Sequence, residues 1–226
     1  MTASDTATKA IIRQITRPAP DVIRSVAQYG TATLHEAAAQ RGALPAAIKP
    51  VALSFRVCGP AVTVLSPPRD NLWLHRAIYL AAPGDVLVVD VSDYFEAGYW
   101  GEIMSHAAAQ RKLGGLVING CVRDRDLLER LAFPVFSRGL SIRGTGKDTK
   151  APGAINHAIR VGEVIVNPGD LVAGDADGVV VLPSGEIGEI VAKAKAREDK
   201  EEEVIKGLAA GKSTLEIYDF DPGADL

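Results

Sequence analysis

The chain has 226 residues, 25 Lys and Arg against 28 Asp and Glu for a formal net charge of −3, and 47% hydrophobic residues. That balance excludes a disordered segment, a collagen or a coiled coil, and it leaves no broad basic footprint for nucleic acid. No stretch approaches the ~20 apolar residues of a membrane-spanning helix, and the first twenty residues hold no apolar run of the kind that opens an export signal.

Twenty-two Gly and 13 Pro punctuate short apolar runs, which predicts many short elements. In chain order, helical spacing covers 20–29 and 33–40, a β-branched strand 61–65, a helix 71–81, a strand 85–90 and a helix 101–113. A strand over 115–119, a helix over 124–131 and a strand over 133–136 follow. The region 142–182 then reads as consecutive strands, 163–167 and 178–182 being the clearest, and a charged helix over about 186–210 ends the pattern. The class is mixed α/β, and the run of strands argues against a uniform doubly wound sheet. Two copies of Pro-Gly-Asp, at Pro83 and Pro168, read as turns in which Pro fixes φ and Gly takes a positive φ. The last helix carries apolar Ile187, Ile190, Val191, Ala194, Val204, Ile205 and Leu208 at helical spacing, so one side of it must pack against something. No linker divides the chain, which reads as a single domain over 1–226 with a core over about 20–183 and a helical arm over about 185–218.

Two stretches carry candidate chemistry. Gly114-Gly-Leu-Val-Ile-Asn-Gly-Cys-Val-Arg-Asp124 is a buried strand that ends in a Gly turn and then presents Arg123 and Asp124 ahead of a helix. Asp124 either caps that helix or supplies a hard oxygen to Mg²⁺, with Arg123 free to fork onto an anionic substrate. In Tyr99-Trp-Gly-Glu-Ile-Met-Ser105, Glu102 either complements the dipole of its helix or orients a metal-held water. In the second case the N–H groups of Ile103 and Met104 bind a substrate carboxylate.

Other chemistries lack their signatures. His35, His75, His106 and His157 show no metal-ligand spacing, and Cys58 and Cys121 lie far apart with no CxxC, which suits a reducing cytoplasm. There is no nucleophile elbow, Walker A loop or full GxGxxG, and no lysine within an apolar strand for imine chemistry.

Thr33-Leu-His-Glu-Ala37, Gly59-Pro-Ala-Val-Thr-Val64, Pro83-Gly-Asp85, Gly101-Glu102, Gly120-Cys-Val-Arg-Asp124, Phe133-Pro-Val-Phe136 and Gly174-Asp-Ala-Asp-Gly-Val179 together resemble the RraA-like family. Within it the chain looks most like the 4-hydroxy-4-methyl-2-oxoglutarate / 4-carboxy-4-hydroxy-2-oxoadipate aldolases, from about residue 20 to Tyr218. The resemblance implies an α/β/α sandwich like a phosphohistidine swivelling domain, and a homotrimer or dimer of trimers with sites between subunits. It also implies a class II pyruvate aldolase that uses Mg²⁺ or another divalent metal such as Mn²⁺ and also decarboxylates oxaloacetate.

Carried onto this chain, the resemblance makes Asp124 the direct metal ligand and Arg123 the contact to the substrate's keto or hydroxyl oxygen. Gly101, Glu102 and the amides of Ile103 and Met104 form the carboxylate-binding helix start, with Glu102 standing where these aldolases carry Asp. Glu201 of a neighbouring subunit reaches the metal through water, Glu198 and Glu202 being alternatives in the same acidic run, and Glu36 is an acid near the pocket. The loop over 141–157 offers Arg143, Lys147 and Lys150 to a distal carboxylate, or is a solvated connection. The expected function is cleavage of a small 2-oxo acid by a cytoplasmic enzyme without nucleic-acid or membrane partners. The alternative is a non-enzymatic member that inhibits a ribonuclease.

Overall fold

The computed structural model describes residues 10–220; the sequence reading of the first nine residues lies outside that range. Helices α1 (Pro20–Val26) and α2 (Thr31–Ala37) precede β1 (Lys49–Pro50) and β2 (Val57–Leu65). Helix and strand then alternate through α3 (Leu72–Leu80), β3 (Val86–Asp90), α4 (Glu102–Gln110), β4 (Gly115–Val122), α5 (Arg125–Leu131) and β5 (Val135–Leu140). Short strands β6 (Ala154–Ile155), β7 (Ile159–Val161), β8 (Val164–Val166), β9 (Leu171–Gly174) and β10 (Val179–Leu182) follow, then α6 (Ile187–Ala209) and α7 (Thr214–Tyr218).

The main sheet runs β1-β5-β4-β3-β2-β9-β10, with β6 pairing beside β2. Strands β2, β3, β4 and β5 are mutually parallel, each linked to the next by one helix. Their composition explains this, because Val86 to Val89 are all fully buried and a strand covered on both faces needs no polar alternation. Antiparallel β1 closes one side, and the antiparallel pair β9 and β10 extends the other, so the sheet is mixed. In those two strands alternate residues face different cores. Val172, Val179 and Val181 join the large cluster under α3, α4 and α5, whereas Leu171, Ala173, Val180 and Leu182 pack with α1, α2 and Ile187, Ile190 and Ala194 of α6.

Both Pro-Gly-Asp copies are turns of one design. Gly84 and Gly169 have φ of 86° and 88°, and the carboxylates of Asp85 and Asp170 accept the N–H of Ala82 and Asn167, three residues back. Asp85 also takes a two-pronged bond from Arg17 at 2.7 Å, and the Ile12 N–H donates to the Ile155 carbonyl at 3.1 Å. Packing therefore begins ahead of residue 20. The segment between β3 and α4 ends in Tyr99 and Trp100, both buried. The Tyr99 hydroxyl donates to the Tyr94 carbonyl and accepts the Arg69 N–H, while the Trp100 indole donates to Ser105 Oγ at 2.6 Å. These bonds set the start of α4 against the carboxyl end of β4, where ligands lie in sheets of parallel strands.

Candidate active site

At the end of β4 the Arg123 N–H donates to the Trp100 carbonyl at 2.9 Å. Asp124 then adopts a left-handed conformation, φ 64° and ψ 37°, which costs roughly 1 kcal/mol for a residue with a Cβ. Its carbonyl accepts from Leu127 and Leu128 and so opens α5, yet its side chain caps nothing in that helix. The carboxylate turns instead to the neighbouring helix, where Oδ2 accepts the Glu102 N–H at 3.1 Å and lies 3.7 Å from Arg123 Nε. Of the two sequence readings of Asp124, side-chain capping of α5 is the one the geometry rejects. Gly101 makes the approach feasible, since a Cβ there would overlap Asp124 Oδ2.

Gly101 is the N-cap of α4 and brings no capping side chain. The N–H groups of Ile103 and Met104 consequently have no acceptor among the described residues, and they stand at the positive end of the helix dipole. Glu102 projects from this first turn with its carboxylate 3.9 Å from His106 Nε2. Met104 is buried; Ile103 is exposed.

Arg123 and Asp124 divide two adjoining cavities. One, about 390 Å³, is bounded by Arg125, Leu140, Ser141 and Ile142. The other, about 240 Å³, holds Gly101, Glu102, Ile103 and Met104 together with Asn71, His75 and Lys147, and it alone contains the open helix end. Asn71 is buried; its amide donates to the Tyr99 carbonyl at 2.9 Å, while its Oδ1 has no partner among the described residues. Leaving a buried acceptor unpaired costs about 1–3 kcal/mol. Burial and the Lys147 ammonium hold the His75 imidazole below its ordinary 6.5, against a smaller upward pull from Asp70, so it is neutral at neutral pH.

The donor set suits a hard cation that keeps most of its own waters. Asp124 and Glu102 supply carboxylates, while no group of three His, Cys, Asp or Glu gathers as a metal cage among the described residues. Magnesium asks for no more than one or two protein carboxylates. The structure therefore brings together Arg123, Asp124, Gly101, Glu102, Ile103 and Met104. It places Glu36 and Glu201 elsewhere: both contact Arg197, at 3.7 and 2.9 Å, on the outer side of α2 and α6. Asn71 and His75 enter the site unannounced by the sequence, where Asp70-Asn71 reads only as a helix start.

No helix among the described residues is long and apolar enough to cross a membrane. Residues 31–181 match the family model described as RraA-like, Aldolase/RraA. A protein of Halalkalibacterium halodurans named "Putative 4-hydroxy-4-methyl-2-oxoglutarate aldolase" is 35% identical over 175 residues, 77% of this chain and 82% of that protein. The crystal structure of an uncharacterized protein from Pseudomonas syringae pv. tomato superposes with TM-score 0.79 at 28% identity, covering 92% of this chain and 97% of that one. Streptomyces coelicolor RraAS2, described as an unusual member of the RNase ES inhibitor RraA protein family, superposes with TM-score 0.72 at 29% identity over 84% of this chain and 99% of that one. By the extent of the matched stretch and this set of relatives, the chain belongs to the RraA-like family.

Proposed function

We propose that this chain is a lyase that cleaves 4-hydroxy-4-methyl-2-oxoglutarate, or a related 4-hydroxy-2-oxo acid, to pyruvate with the help of Mg²⁺ or Mn²⁺. Oxaloacetate would lose CO₂ at the same site. The observation that carries this reading is the Asp124 carboxylate, held in a left-handed conformation away from its own helix and beside Arg123 and the open end of α4. The names of relatives such as the Halalkalibacterium protein support the substrate class.

Asp124 would hold the cation, with Glu102 bonded to its waters; when bound, the cation would polarise the 2-keto and carboxylate oxygens of the substrate. The N–H groups of Ile103 and Met104 receive the C1 carboxylate. Glu102 orients the water that takes the proton from the C4 hydroxyl. As that proton leaves, the C3–C4 bond breaks, its electron pair becomes the enolate of pyruvate and C4 becomes a carbonyl. Arg123 faces the enolate oxygen and offsets the charge that develops there, an effect worth about 3 kcal/mol per donor in a site shielded from water. Protonation at C3 completes pyruvate. Oxaloacetate reaches the same enolate by releasing CO₂, so both reactions use the same residues.

The Glu36–Arg197–Glu201 cluster lies outside this cavity. We infer that it completes the site of a neighbouring copy in a trimer or a pair of trimers, with Glu201 bonding to the cation's waters.

The test is pyruvate release from 4-hydroxy-4-methyl-2-oxoglutarate and from oxaloacetate, with Mg²⁺, with EDTA, and in Asp124→Ala. Turnover is expected only for the wild type with metal; undiminished activity in EDTA or in the variant would overturn the mechanism. The likeness to RraAS2 favours a second reading, a ribonuclease inhibitor. It would be supported by no turnover of either acid together with inhibition of a ribonuclease by the purified chain.

A further inference from the structure

We propose that Lys147 selects substrates that carry a second carboxylate beyond C4, by pairing its ammonium with that group; this rests on the lyase reading of the site. Among the three cations of the loop over 141–157, the structure separates one from the others. Arg143 is occupied by the Tyr94 hydroxyl at 3.0 Å and Glu96 at 3.1 Å, and Lys150 does not line the cavity. Lys147 lines it, in company with Arg123, Asp124 and the start of α4, and its ammonium pairs with no carboxylate among the described residues.

The way Lys147 is mounted separates it from an ordinary solvated lysine. The residue before it is tied twice to the start of α3: Gly146 N–H donates to the Arg69 carbonyl at 2.7 Å, and the Gly146 carbonyl accepts the Asn71 N–H at 3.2 Å. The residue after it is tied by Asp70, a buried carboxylate whose Oδ2 accepts the Asp148 N–H at 2.6 Å while Oδ1 accepts the Leu72 N–H at 2.8 Å. A buried carboxylate thus holds the backbone from which the Lys147 side chain reaches the cavity. In the mechanism above, Arg123, Asp124 and the α4 amides serve the C1–C2 end of the substrate. On the α3 side the lining offers three polar side chains: Asn71, whose amide is taken by the Tyr99 carbonyl, His75, neutral by its surroundings, and Lys147. A dicarboxylic 4-hydroxy-2-oxo acid brings one more negative charge, and Lys147 is the cation left to meet it.

The experiment measures binding of 2-oxoglutarate and of 2-oxopentanoate by calorimetry in the presence of Mg²⁺. These two acids have one length and differ only in carboxylate against methyl at C5, and neither is cleaved. Wild type is expected to prefer 2-oxoglutarate by about tenfold or more, the scale of one hydrogen bond to a charged group. Lys147→Met should abolish that preference and Lys147→Arg should keep most of it. No preference in the wild type, or an unchanged preference in Lys147→Met, overturns the proposal. Because binding is read without turnover, absence of pyruvate release would remove the lyase reading and leave the preference standing. Turnover with a preference indifferent to Lys147 would remove this proposal alone.

Discussion

Gly101 is what lets a carboxylate from the turn after β4 reach the first amide of α4. Its φ of −163° is open to any residue, so the demand is for space. A methyl group there would overlap Asp124 Oδ2 and crowd Arg123 Cγ. Gly101→Ala should therefore displace both groups by a fraction of an ångström to an ångström, a misplacement that costs about a hundredfold in rate. The expected outcome is a kcat/KM for 4-hydroxy-4-methyl-2-oxoglutarate lower by that factor, with a thermal midpoint within a few degrees of wild type. A variant of full activity would show that the Asp124 contact to Glu102 N–H is dispensable. Arg123 and Asp124 were legible because two opposite charges directly follow a buried strand, and Gly101-Glu102 because a helix start without a capping side chain leaves free amides. Asn71 is not legible, and Lys147 is legible only as one of three loop cations, since its pinned backbone and the Arg143 contacts that set it apart depend on partners distant in sequence.

Helix α2 begins at Thr31 after Gly30, which has no side chain to cap it. The cap comes from the hairpin between β9 and β10. Asp175 Oδ2 accepts the Thr31 N–H at 2.8 Å and Oδ1 accepts the Thr31 hydroxyl at 2.6 Å, across 144 residues of chain. Burial alone would push this carboxyl upward, but the Thr31 hydroxyl and amide, the Asp177 amide and Arg56 outweigh it and leave it below its ordinary 3.8. Asp175→Ala should cost about 2–3 kcal/mol at pH 7, as a lost cap and an unpaired buried hydroxyl together imply. The sign of the pH dependence follows from the depression: the unfolded chain takes up the proton first, so the stabilisation is present above 3.8 and is lost as pH falls below it. Urea unfolding of wild type and variant should show a gap at pH 7 that narrows on acidification through that range. A gap independent of pH would mean that the carboxylate charge contributes nothing. Interactions of this reach have no local signature. The elements themselves were far more legible, since Val- and Ile-rich runs bounded by Gly, Pro and Asp mark β2, β3, β4 and β10 to within a few residues. The sequence pattern ends the strand at 136, because Ser137, Arg138 and Gly139 look like a loop, whereas β5 runs Val135–Leu140. In the fold, Arg138 stacks on the Phe95 ring 4.3 Å away and donates to Asn119 Oδ1 at 2.8 Å, which lets a charged residue occupy a strand. Two-residue strands such as β1 and β6 carry too few side chains to show a period.

Across the molecule, the acids assigned to one reaction occupy two separate places. Asp124 and Glu102 line the cavity at the end of β4, while Glu36 and Glu201 meet at Arg197 on α2 and α6. Further along α6, Ile205 and Leu208 stay 64% and 41% exposed, apolar surface that the chain itself does not cover. Both features fit a site assembled from two copies related by cyclic symmetry, each giving Asp124 to one site and Glu201 to the next. That arrangement makes a prediction no single-chain site shares. Asp124→Ala and Glu201→Ala should each be close to inactive as pure proteins. Unfolded together and refolded as an equal mixture, they should recover activity, because a site with Asp124 from one variant and Glu201 from the other lacks nothing. With random assortment about a quarter of sites are of that kind, so the expected recovery is about a quarter of the wild-type rate. If Glu201 instead serves Asp124 within its own chain, every site in the mixture keeps one defect and no activity returns. Recovery that also disappears when Ile205→Glu and Leu208→Glu are added to both variants would tie the shared site to the uncovered end of α6.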